Sequence, residues 1–352
     1  MKPWENNIRR VEPYVPGEQP KDINIIKLNT NENPYPPAPA VYEEAGKIDM
    51  SMYRKYPDPA CDILREALAN NYGVTSDNVF VGVGSDDVLS MIFLTFFNSK
   101  KPVLFPDITY SFYSVWAEVY GIPYERPALD ENFNIRAEDY YTENGGVVIA
   151  NPNAPTGIYR NLDFIRDILD HNQDVIVVVD EAYIDFAGDS AVKLLNEYEN
   201  LIVVQTFSKS KSMAGMRIGM AIAGKKLIKA LNDVKYSVNS YTMNMPSLIM
   251  GTAAAKSNEY YREITAKIIA TRERTVKELS GLGFECLPSG ANFVFAKHNR
   301  ISGIDIYEYL RQNKVYVRRF NAPRIDDYLR ITIGTDSEMD RLLVLLKEYI
   351  SL

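Results

Sequence analysis

Apolar runs of strand length alternate with helix-length periodic stretches between residues 78 and 223. Continuous Ile/Val runs such as "VIVVV" lack the polar alternation of a half-exposed strand, as expected for strands that are buried on both faces. The strand candidates are "NVFVGVG" (78–84), "PVLFP" (102–106), "GGVVIANP" (145–152), "VIVVVDEAY" (175–183), "LIVVQTF" (201–207) and "RIGMAIA" (217–223), with helix patterns such as "SDDVLSMIFLTFF" and "NLDFIRDILDHN" between them. This order predicts an α/β fold with a mostly parallel sheet covered by helices.

The pattern changes in the last third of the chain. A long helical region with few breakers runs from Pro246 through Leu279. It is followed by the strand-like segments "FECLPSG", "NFVFAK", "VYVRRF" and "YLRITIGT", interleaved with the helix patterns "GIDIYEYLRQN" and "DSEMDRLLVLLKEYI". We therefore predict a large domain at residues 41–240 and a smaller α+β domain at residues 241–352.

The beginning of the chain is rich in proline and asparagine, with "NTNENPYPPAPA" at residues 29–40. Its first segment, "MKPWENNIRRVEPYVPGEQP", has no apolar core and is not a secretory signal. We interpret residues 1–40 as an ordered arm that packs with the small domain and the functional site. A disordered lead-in is the alternative.

The charge balance narrows the classes of partner. The 39 Lys and Arg residues are outnumbered by 46 Asp and Glu residues, which gives a formal net charge of −7. No block of basic residues offsets this balance, so we expect neither a nucleic-acid nor a membrane partner. No apolar run reaches the length of a membrane-spanning helix. An anionic ligand would therefore be held by a few cations placed locally.

Histidine and cysteine are both scarce. His171 and His298, like Cys61 and Cys286, are far apart and lack the spacing of metal ligands or of a redox pair. We therefore predict no metal site, and a Ser-His-Asp mechanism is disfavoured. Acid–base chemistry would come from lysine, carboxylate, tyrosine or a cofactor. The cysteine usage fits a reducing cytoplasm.

Ligands of open α/β sheets bind outside the carboxyl ends of the strands, so the residues that follow each strand are the first candidates. Ser85 and Asp86 follow "VFVGVG", where a glycine turn into a helix N-terminus suits a phosphate, although a plain N-cap explains them equally. Tyr110 follows "PVLFP" and could stack on a planar ligand or simply pack. Asn153 lies in "NPNAPTG", whose prolines require only a rigid turn, while its amide could be aimed into a cleft.

Two further strand ends carry charged residues. Asp180 ends "VIVVV", and a buried carboxylate there needs solvent or a cation: either a protonated ring nitrogen or an arginine in a structural ion pair. Tyr183 follows it. Lys209 follows "LIVVQTF", flanked by Ser208 and Arg217. Together the strand ends offer a phosphate cradle, a stacking aromatic, a carboxylate for a ring nitrogen, an amide and a phenol for a ring oxygen, and an amine. Pyridoxal phosphate needs this set.

A series of motifs in order along nearly the whole chain carries a family resemblance. They are "EPYVPG", "LNTNENPYPP", "YRKYPDP", "GVGSDD", "NPNAPTG", "VVVDEAYIDFA", "TFSKSKSMAGMRIGMAIA", "SGANFVFAK", "VRRF" and "LRITIGT". The sequence resembles the fold-type-I pyridoxal-phosphate enzymes, and most closely the histidinol-phosphate aminotransferases among them. The resemblance implies a fold-type-I transferase: a large domain with a mostly parallel sheet flanked by helices, and a smaller α+β domain.

The resemblance also implies a role for each candidate. Lys209 would bind the aldehyde of pyridoxal phosphate and move the proton, Asp180 would pair with the pyridine nitrogen, and Tyr110 would stack on the ring. Tyr183 and Asn153 would bind the ring oxygen. The cofactor phosphate would be held by the backbone of Ser85 and Asp86, by the side chains of Ser208 and Arg217, and by Tyr56 from the second subunit of a homodimer.

Four residues are implied to bind the substrate. Arg330 would bind its anionic end, and Arg318, Tyr14 and Asn153 would make further contacts. A strand-edge salt bridge is the alternative for Arg330, and packing of the arm is the alternative for Tyr14. The family usually differs from this chain at residues 210–212, where "SKS" stands, and has glutamate at the position of Asp87.

The implied reaction is transamination between histidinol phosphate and 2-oxoglutarate, which yields imidazole-acetol phosphate and glutamate in histidine biosynthesis. Threonine-phosphate decarboxylase and aromatic amino-acid aminotransferase are the nearest alternatives, because Arg330 could equally bind an α-carboxylate. A cofactor-binding domain that has lost catalysis is disfavoured by the presence of Lys209, Asp180 and Arg217. A nucleotide-binding α/β protein is disfavoured because no glycine-rich fingerprint follows the first strand.

Overall fold

The computed structural model describes residues 2–22 and 24–351. Met1 and Ile23, which the predicted arm includes, and Leu352, at the end of the predicted small domain, lie outside the described residues. The strands are β1 (Ile26–Lys27), β2 (Val79–Gly82), β3 (Val103–Leu104), β4 (Tyr124–Glu125), β5 (Gly146–Ala150), β6 (Val177–Asp180), β7 (Leu201–Thr206), β8 (Gly219–Ala223), β9 (Phe284–Cys286), β10 (Phe293–His298), β11 (Val315–Tyr316), β12 (Arg318–Arg319) and β13 (Leu329–Thr332). The helices are α1 (Pro39–Gly46), α2 (Asp62–Tyr72), α3 (Ser85–Phe96), α4 (Phe112–Tyr120), α5 (Leu162–Asp170), α6 (Lys225–Val238), α7 (Met245–Ala255), α8 (Asn258–Gly281), α9 (Gly303–Gln312) and α10 (Asp336–Ile350).

The central sheet has the strand order β2-β8-β7-β6-β5-β3-β4. The strand β8 is antiparallel to both of its neighbours, and the other pairings in the sheet are parallel. The prediction of a mostly parallel sheet is therefore confirmed. The strand β4 was not predicted, because its two residues, Tyr124 and Glu125, form no apolar run.

Burial on both faces explains the Ile/Val runs of the central strands. Val177 and Val179 of β6 pack into a hydrophobic cluster that includes α5, whereas Val178 packs into a second cluster with α3, α4 and α6. Successive side chains of a strand point to opposite faces, so a strand covered on both sides must be apolar at every position. Every residue of β7 is buried as well.

A second, four-stranded antiparallel sheet has the order β12-β13-β10-β9 and packs with α8, α9 and α10. The segment "VYVRRF" was predicted as one strand, and this is wrong: β11 pairs with β1, β12 pairs with β13, and the partner changes at the buried Val317. The long helical region is divided into α7 and α8 at Lys256 and Ser257. Helix α10 begins with a capping box between Thr335 and Glu338 and has the predicted bounds.

The arm lies along the second sheet. Its strand β1 pairs in parallel with β11, and the backbone amide of Thr332 in β13 donates to the carbonyl of Leu28 at 2.9 Å. The arm therefore brings residues 28–33 to the space between the two sheets. The division of the chain at residues 40 and 240 stays a prediction. Within the part of the chain that the structure describes, no helix combines the length and apolar character needed to cross a membrane.

Candidate active site

Eleven of the predicted residues line two adjoining cavities at the carboxyl edge of the central sheet. The first, of about 180 Å³, is lined by Ser85, Asp86, Tyr110, Asp180, Tyr183, Ser208, Lys209 and Arg217. The second, of about 440 Å³, shares several of these residues and adds Tyr14, Arg318 and Arg330. The structure does not bring the other two predicted residues, Asn153 and Tyr56, to either cavity.

Strand direction explains why these residues meet. Residues that follow parallel strands lie at one edge of the sheet. Because β8 runs antiparallel to β7, the connection between them begins and ends at that same edge. Lys209, which follows β7, and Arg217, which precedes β8, therefore lie in one cavity.

The N-terminus of α3 and the side chain of Arg217 form a cradle for an anion. Gly84, which precedes α3, has φ of +85°, and a Cβ there would lie 2.4 Å from Nη2 of Arg217, so glycine is required. The free backbone N–H groups of the first helical turn carry partial positive charge. Nη2 of Arg217 also donates to Oδ2 of Asp86 at 3.1 Å. The hydroxyl groups of Thr206 and Ser208 lie on the wall of the same cavity.

Asp180 is a buried carboxylate, only 5% exposed. Its Oδ2 accepts a hydrogen bond from the hydroxyl of Tyr113 at 2.7 Å, and its Oδ1 accepts one from the backbone amide of Ala182 at 3.2 Å. Burial raises the pKa of Asp180 to about 6, although both hydrogen bonds act in the opposite direction. No arginine or lysine of the described residues pairs with it. Asp180 therefore forms no structural ion pair within the described chain. Because Asp180 lines the first cavity, a cationic ligand there would be its partner.

Lys209 is held at the cavity by the arm. Its Nζ donates to the carbonyl of Thr30 at 3.3 Å and lies 5.7 Å from the ring centre of Tyr183. Nδ2 of Asn33 donates to the carbonyl of Lys209 at 3.0 Å. Lys211, two residues later, lies outside both cavities, with its Nζ 4.9 Å from the ring centre of Tyr261. The chain therefore presents the amine of Lys209 to the cavity.

Two tyrosines, Tyr110 and Tyr183, also line the first cavity. The hydroxyl of Tyr110 donates to Oδ1 of Asp86 at 2.7 Å, and burial raises the pKa of Tyr110 well above its ordinary value. The hydroxyl oxygen of Tyr183 accepts a hydrogen bond from Nδ2 of Asn31 at 2.8 Å. Each phenol therefore has a defined hydrogen-bond partner before any ligand binds.

Asn153 lies behind the cavity wall. Its Nδ2 donates to the carbonyl of Ile108 at 2.9 Å and to the hydroxyl of Thr156 at 3.1 Å, while its Oδ1 accepts from the hydroxyl of Thr109 at 2.7 Å. These bonds occupy both amide hydrogens, so the side chain braces the turn around residues 151–157. Contact of Asn153 with a ring oxygen or a substrate stays a prediction, and it would require one of these bonds to be exchanged.

Two arginines from the second sheet face the larger cavity. Nη2 of Arg330 donates to the carbonyl of Asn29 at 3.2 Å, and its Nε is buried without a partner among the described residues. Burial lowers the pKa of Arg330. Arg318, opposite Arg330 in the β12–β13 register, donates to the carbonyls of Val15 and Pro16. Neither guanidinium pairs with a carboxylate of the described chain, which leaves positive charge for an anionic ligand. The strand-edge salt bridge considered for Arg330 is absent there.

Tyr14 and Tyr56 have different surroundings. Tyr14, on the arm, stacks on Phe112 with 4.2 Å between ring centres and lines the larger cavity. Tyr56 is 80% exposed and stacks on Tyr241 with 4.6 Å between ring centres, away from both cavities. The predicted contact of Tyr56 with a cofactor phosphate bound to another subunit stays a prediction.

Sequence reasoning missed several residues of the site. Thr30, Asn31 and Asn33 belong to "NTNENPYPP", which was interpreted as part of an arm and as a motif of the family, with no role assigned to its residues. Tyr113 was missed although it lies only three residues after Tyr110 in "TYSFY". Thr206 was missed because it is the last residue of the apolar strand β7.

Comparison with known proteins identifies the family of this chain. Residues 23–346 match the sequence model of the family "Aminotransferase class I and II", and the chain belongs to this family. Over 350 residues it is 50% identical to the histidinol-phosphate aminotransferase of Clostridium beijerinckii (strain ATCC 51743 / NCIMB 8052), an alignment that covers 99% of this chain and 98% of the relative.

Solved structures show the same fold. The histidinol-phosphate aminotransferase from Clostridium acetobutylicum superposes with a TM-score of 0.85 at 24% identity, covering 93% of this chain and 99% of that one. The Sinorhizobium meliloti histidinol-phosphate aminotransferase, solved in complex with pyridoxal-5'-phosphate, gives the same TM-score and identity over 93% of this chain and 91% of that one. The prediction of a fold-type-I transferase is confirmed.

Proposed function

We propose that this chain is a pyridoxal-phosphate-dependent aminotransferase that transfers the amino group of histidinol phosphate to 2-oxoglutarate, a step of histidine biosynthesis. The observation that carries the proposal is the pair of arginines, Arg318 and Arg330, that face the larger cavity without a carboxylate partner in the described chain. A substrate with a phosphate at one end supplies the missing anion. The name of the 50% identical relative supports the same substrate.

The residues of the smaller cavity fit pyridoxal phosphate. The N-terminus of α3, Ser208 and Arg217 suit its phosphate, and Asp180 lacks a cation that a pyridinium nitrogen would provide. The hydroxyl of Thr30, on the same wall, is buried without a hydrogen-bond partner among the described residues. Lys209 lines the same cavity, with its amine bonded to the carbonyl of Thr30.

When bound, pyridoxal phosphate supplies an electron sink that acidifies the carbon carrying the substrate's amino group. The carboxylate of Asp180 would hold the ring nitrogen in its charged form, because an ion pair in a buried site is little screened by water. The amine of Lys209 acts as the base that removes the proton and as the acid that returns it. Arg330 holds the substrate so that this proton lies within reach of the amine of Lys209.

The test of the substrate is an absorbance titration of the purified, cofactor-loaded protein. Histidinol phosphate should convert the absorbance of the pyridoxal form into that of the pyridoxamine form, and 2-oxoglutarate should restore it. Release of carbon dioxide from threonine phosphate, or an equal response to aromatic amino acids, would move the assignment to the corresponding alternative. Neither alternative is favoured, because a 50% identical relative that aligns over nearly the full length is named for histidinol phosphate.

Arg330→Gln should raise the KM for histidinol phosphate by roughly 10- to 100-fold, with a smaller effect on kcat, because a charge-assisted hydrogen bond to an anion is lost. Steady-state kinetics measure both constants. The matched control is Arg319→Gln: Arg319 lies on the neighbouring strand, donates to the carbonyl of Asp326 at 2.8 Å and lies outside both cavities. An equal KM for the Arg330 variant and its control would contradict the substrate-binding role.

We further propose a homodimer in which Tyr56 completes the site of the other subunit. Support comes from the resemblance and from the exposure of Tyr56 and Tyr241, which leaves this aromatic pair uncovered in a single chain. We expect Tyr56→Ala and Lys209→Ala subunits, each nearly inactive alone, to restore about a quarter of wild-type activity when mixed, because half of the dimers then contain one intact site. No gain on mixing, with heterodimers shown by native mass spectrometry, would place Tyr56 outside the partner's site.

The cytoplasm is the compartment that we propose. Cys61 and Cys286 are both free thiols in the structure, and Cys61 is buried. A fold without a disulfide among its described residues has no need of an oxidising compartment.

A further inference from the structure

Asn31, in the arm, is hydrogen-bonded through its backbone amide, its backbone carbonyl and both ends of its side-chain amide. It is 1% exposed, and its backbone is in the left-handed region with φ of +56°. Its backbone amide donates to the hydroxyl of Thr332 at 3.0 Å, and its carbonyl accepts from Nδ2 of Asn292 at 3.0 Å. Its amide side chain bonds Thr332 and Tyr183. A turn alone would be satisfied by glycine, which adopts positive φ at less cost.

The hydroxyl of Thr332 fixes which way the amide of Asn31 points. This hydroxyl accepts a hydrogen bond from the backbone amide of Asn31 and donates its single hydrogen to Oδ1 of Asn31 at 3.0 Å. The amide oxygen therefore faces Thr332, and Nδ2 faces Tyr183, 2.8 Å from its hydroxyl oxygen. As Nδ2 is only a donor, Tyr183 is the acceptor in this bond. The hydrogen of Tyr183 must then point elsewhere, and this residue lines both cavities.

The same contacts tie Tyr183 to the strand that carries Arg330. Thr332 and Arg330 lie two residues apart on β13, so their side chains leave the same face of the sheet. Nη2 of Arg330 donates to the carbonyl of Asn29, two residues before Asn31 in the arm. The short arm segment from Asn29 to Asn31 thus sets the position of the phenol relative to the guanidinium.

We propose that Asn31 is a positioning residue that directs the hydroxyl hydrogen of Tyr183 into the cavity, where it serves the ring oxygen of pyridoxal phosphate. Asn31 donates to the phenol oxygen, so the hydroxyl hydrogen of Tyr183 points away from Asn31 and is free to donate to a group in the cavity. This inference rests on the proposed cofactor and assigns to the arm a part in tuning that cofactor. Donation to a ring oxygen favours its anionic form.

Asn31→Asp is the sharpest test, because it replaces the donor Nδ2 by an acceptor of nearly the same shape and tolerates positive φ. The oxygen that faces Tyr183 then takes the phenol's hydrogen away from the cavity. The readout is the pH midpoint of the absorbance of the protein-bound cofactor, measured without substrate. Loss of donation to the ring oxygen should raise this midpoint by roughly half a pH unit or more.

Tyr183→Phe should raise the midpoint in the same direction. The double variant of Asn31→Gly and Tyr183→Phe, which adds no charge, should shift the midpoint no further than Tyr183→Phe alone, because both changes act on the same hydrogen bond to the ring oxygen. Thr332→Val should shift the midpoint as well, whereas Thr332→Ser, which keeps the hydroxyl, should retain the wild-type value. Asn31→Gly, which suits the left-handed backbone, shows whether removal of the side chain alone has the same effect if the aspartate variant does not fold.

An unchanged midpoint in folded Asn31→Asp and Asn31→Gly proteins would overturn the proposal, as would a shift that adds in full to that of Tyr183→Phe. Either result would leave Asn31 with a purely structural role, visible only as lower thermal stability. Failure of the proposed cofactor gives a different result, because the wild-type protein would then show no cofactor absorbance to titrate. Failure of the proposed substrate alone would leave that absorbance and its midpoint unchanged.

Discussion

Lys209→Ala should abolish turnover and remove the visible absorbance of the covalently held cofactor, while the protein stays folded. Lys209 presents the amine in the cavity and forms one hydrogen bond there, to the carbonyl of Thr30, so truncation removes little packing. Loss of the group that binds the cofactor and moves the proton should lower kcat by at least about 10⁴-fold. Activity, absorbance and circular dichroism of the same sample measure the three effects.

Lys211→Ala is the matched control, because Lys211 lies two residues away and packs over Tyr261 outside the cavities. It should keep both turnover and the absorbance. Borohydride reduction of the loaded wild-type protein, followed by peptide mapping, should place the label on Lys209. A label on Lys211, or turnover by the Lys209 variant, would refute the assignment.

Asp180→Asn should have the second largest effect: turnover should fall by roughly 10²- to 10⁴-fold, because a neutral amide no longer favours a charged ring nitrogen. The cofactor-free Asp180→Asn protein should respond in the opposite way and be more stable than the wild type above about pH 6. The amide that Asp180→Asn introduces can keep the contacts with Tyr113 and Ala182, since it can donate to the phenol oxygen and accept from the backbone. This would be an exchange of stability for function at one residue.

The direction of the pH effect follows from the raised pKa. Burial raises the pKa of Asp180 from 3.8 to about 6, so the folded protein keeps a proton that the unfolded chain releases in that interval. The stability of the cofactor-free wild-type protein therefore falls as the pH rises through this window. The Asp180→Asn variant has no titrating group at this position, so its advantage should reach on the order of 2 kcal/mol above pH 6 and vanish below pH 4. Urea unfolding at several pH values measures it.

Glu181→Gln provides the control for burial alone. Glu181 is also buried, and burial raises its pKa to about 7, but it bonds Ser190, Ala191 and Gln205 and lies outside the cavities. Its variant should lose pH dependence of stability between 4.5 and about 7. Its cofactor affinity should stay at the wild-type value, whereas that of Asp180→Asn should fall. Equal cofactor affinity in wild type and Asp180→Asn would contradict the pairing with a ring nitrogen.

The local sequence by itself determined the main secondary structure and the residue types of the site. The Ile/Val runs gave the buried strands, and the amphipathic patterns gave helices α3, α5, α9 and α10. The position of polar residues at strand ends identified Asp180 and Lys209, because parallel strands end at one edge of a sheet whatever their order. These inferences depend on periodicity over a few residues, which the chain displays directly.

Tertiary structure decided what depends on partners far away in the chain. The antiparallel direction of β8 brings Arg217 to Lys209, the turn at residues 151–157 occupies the amide of Asn153, and the arm brings Asn31 to Tyr183 across 152 positions of sequence. Tertiary packing likewise decided that no cationic side chain of the described residues pairs with Asp180. A residue's identity states which hydrogen bonds it can make, but only the folded chain decides which partner occupies each donor and acceptor.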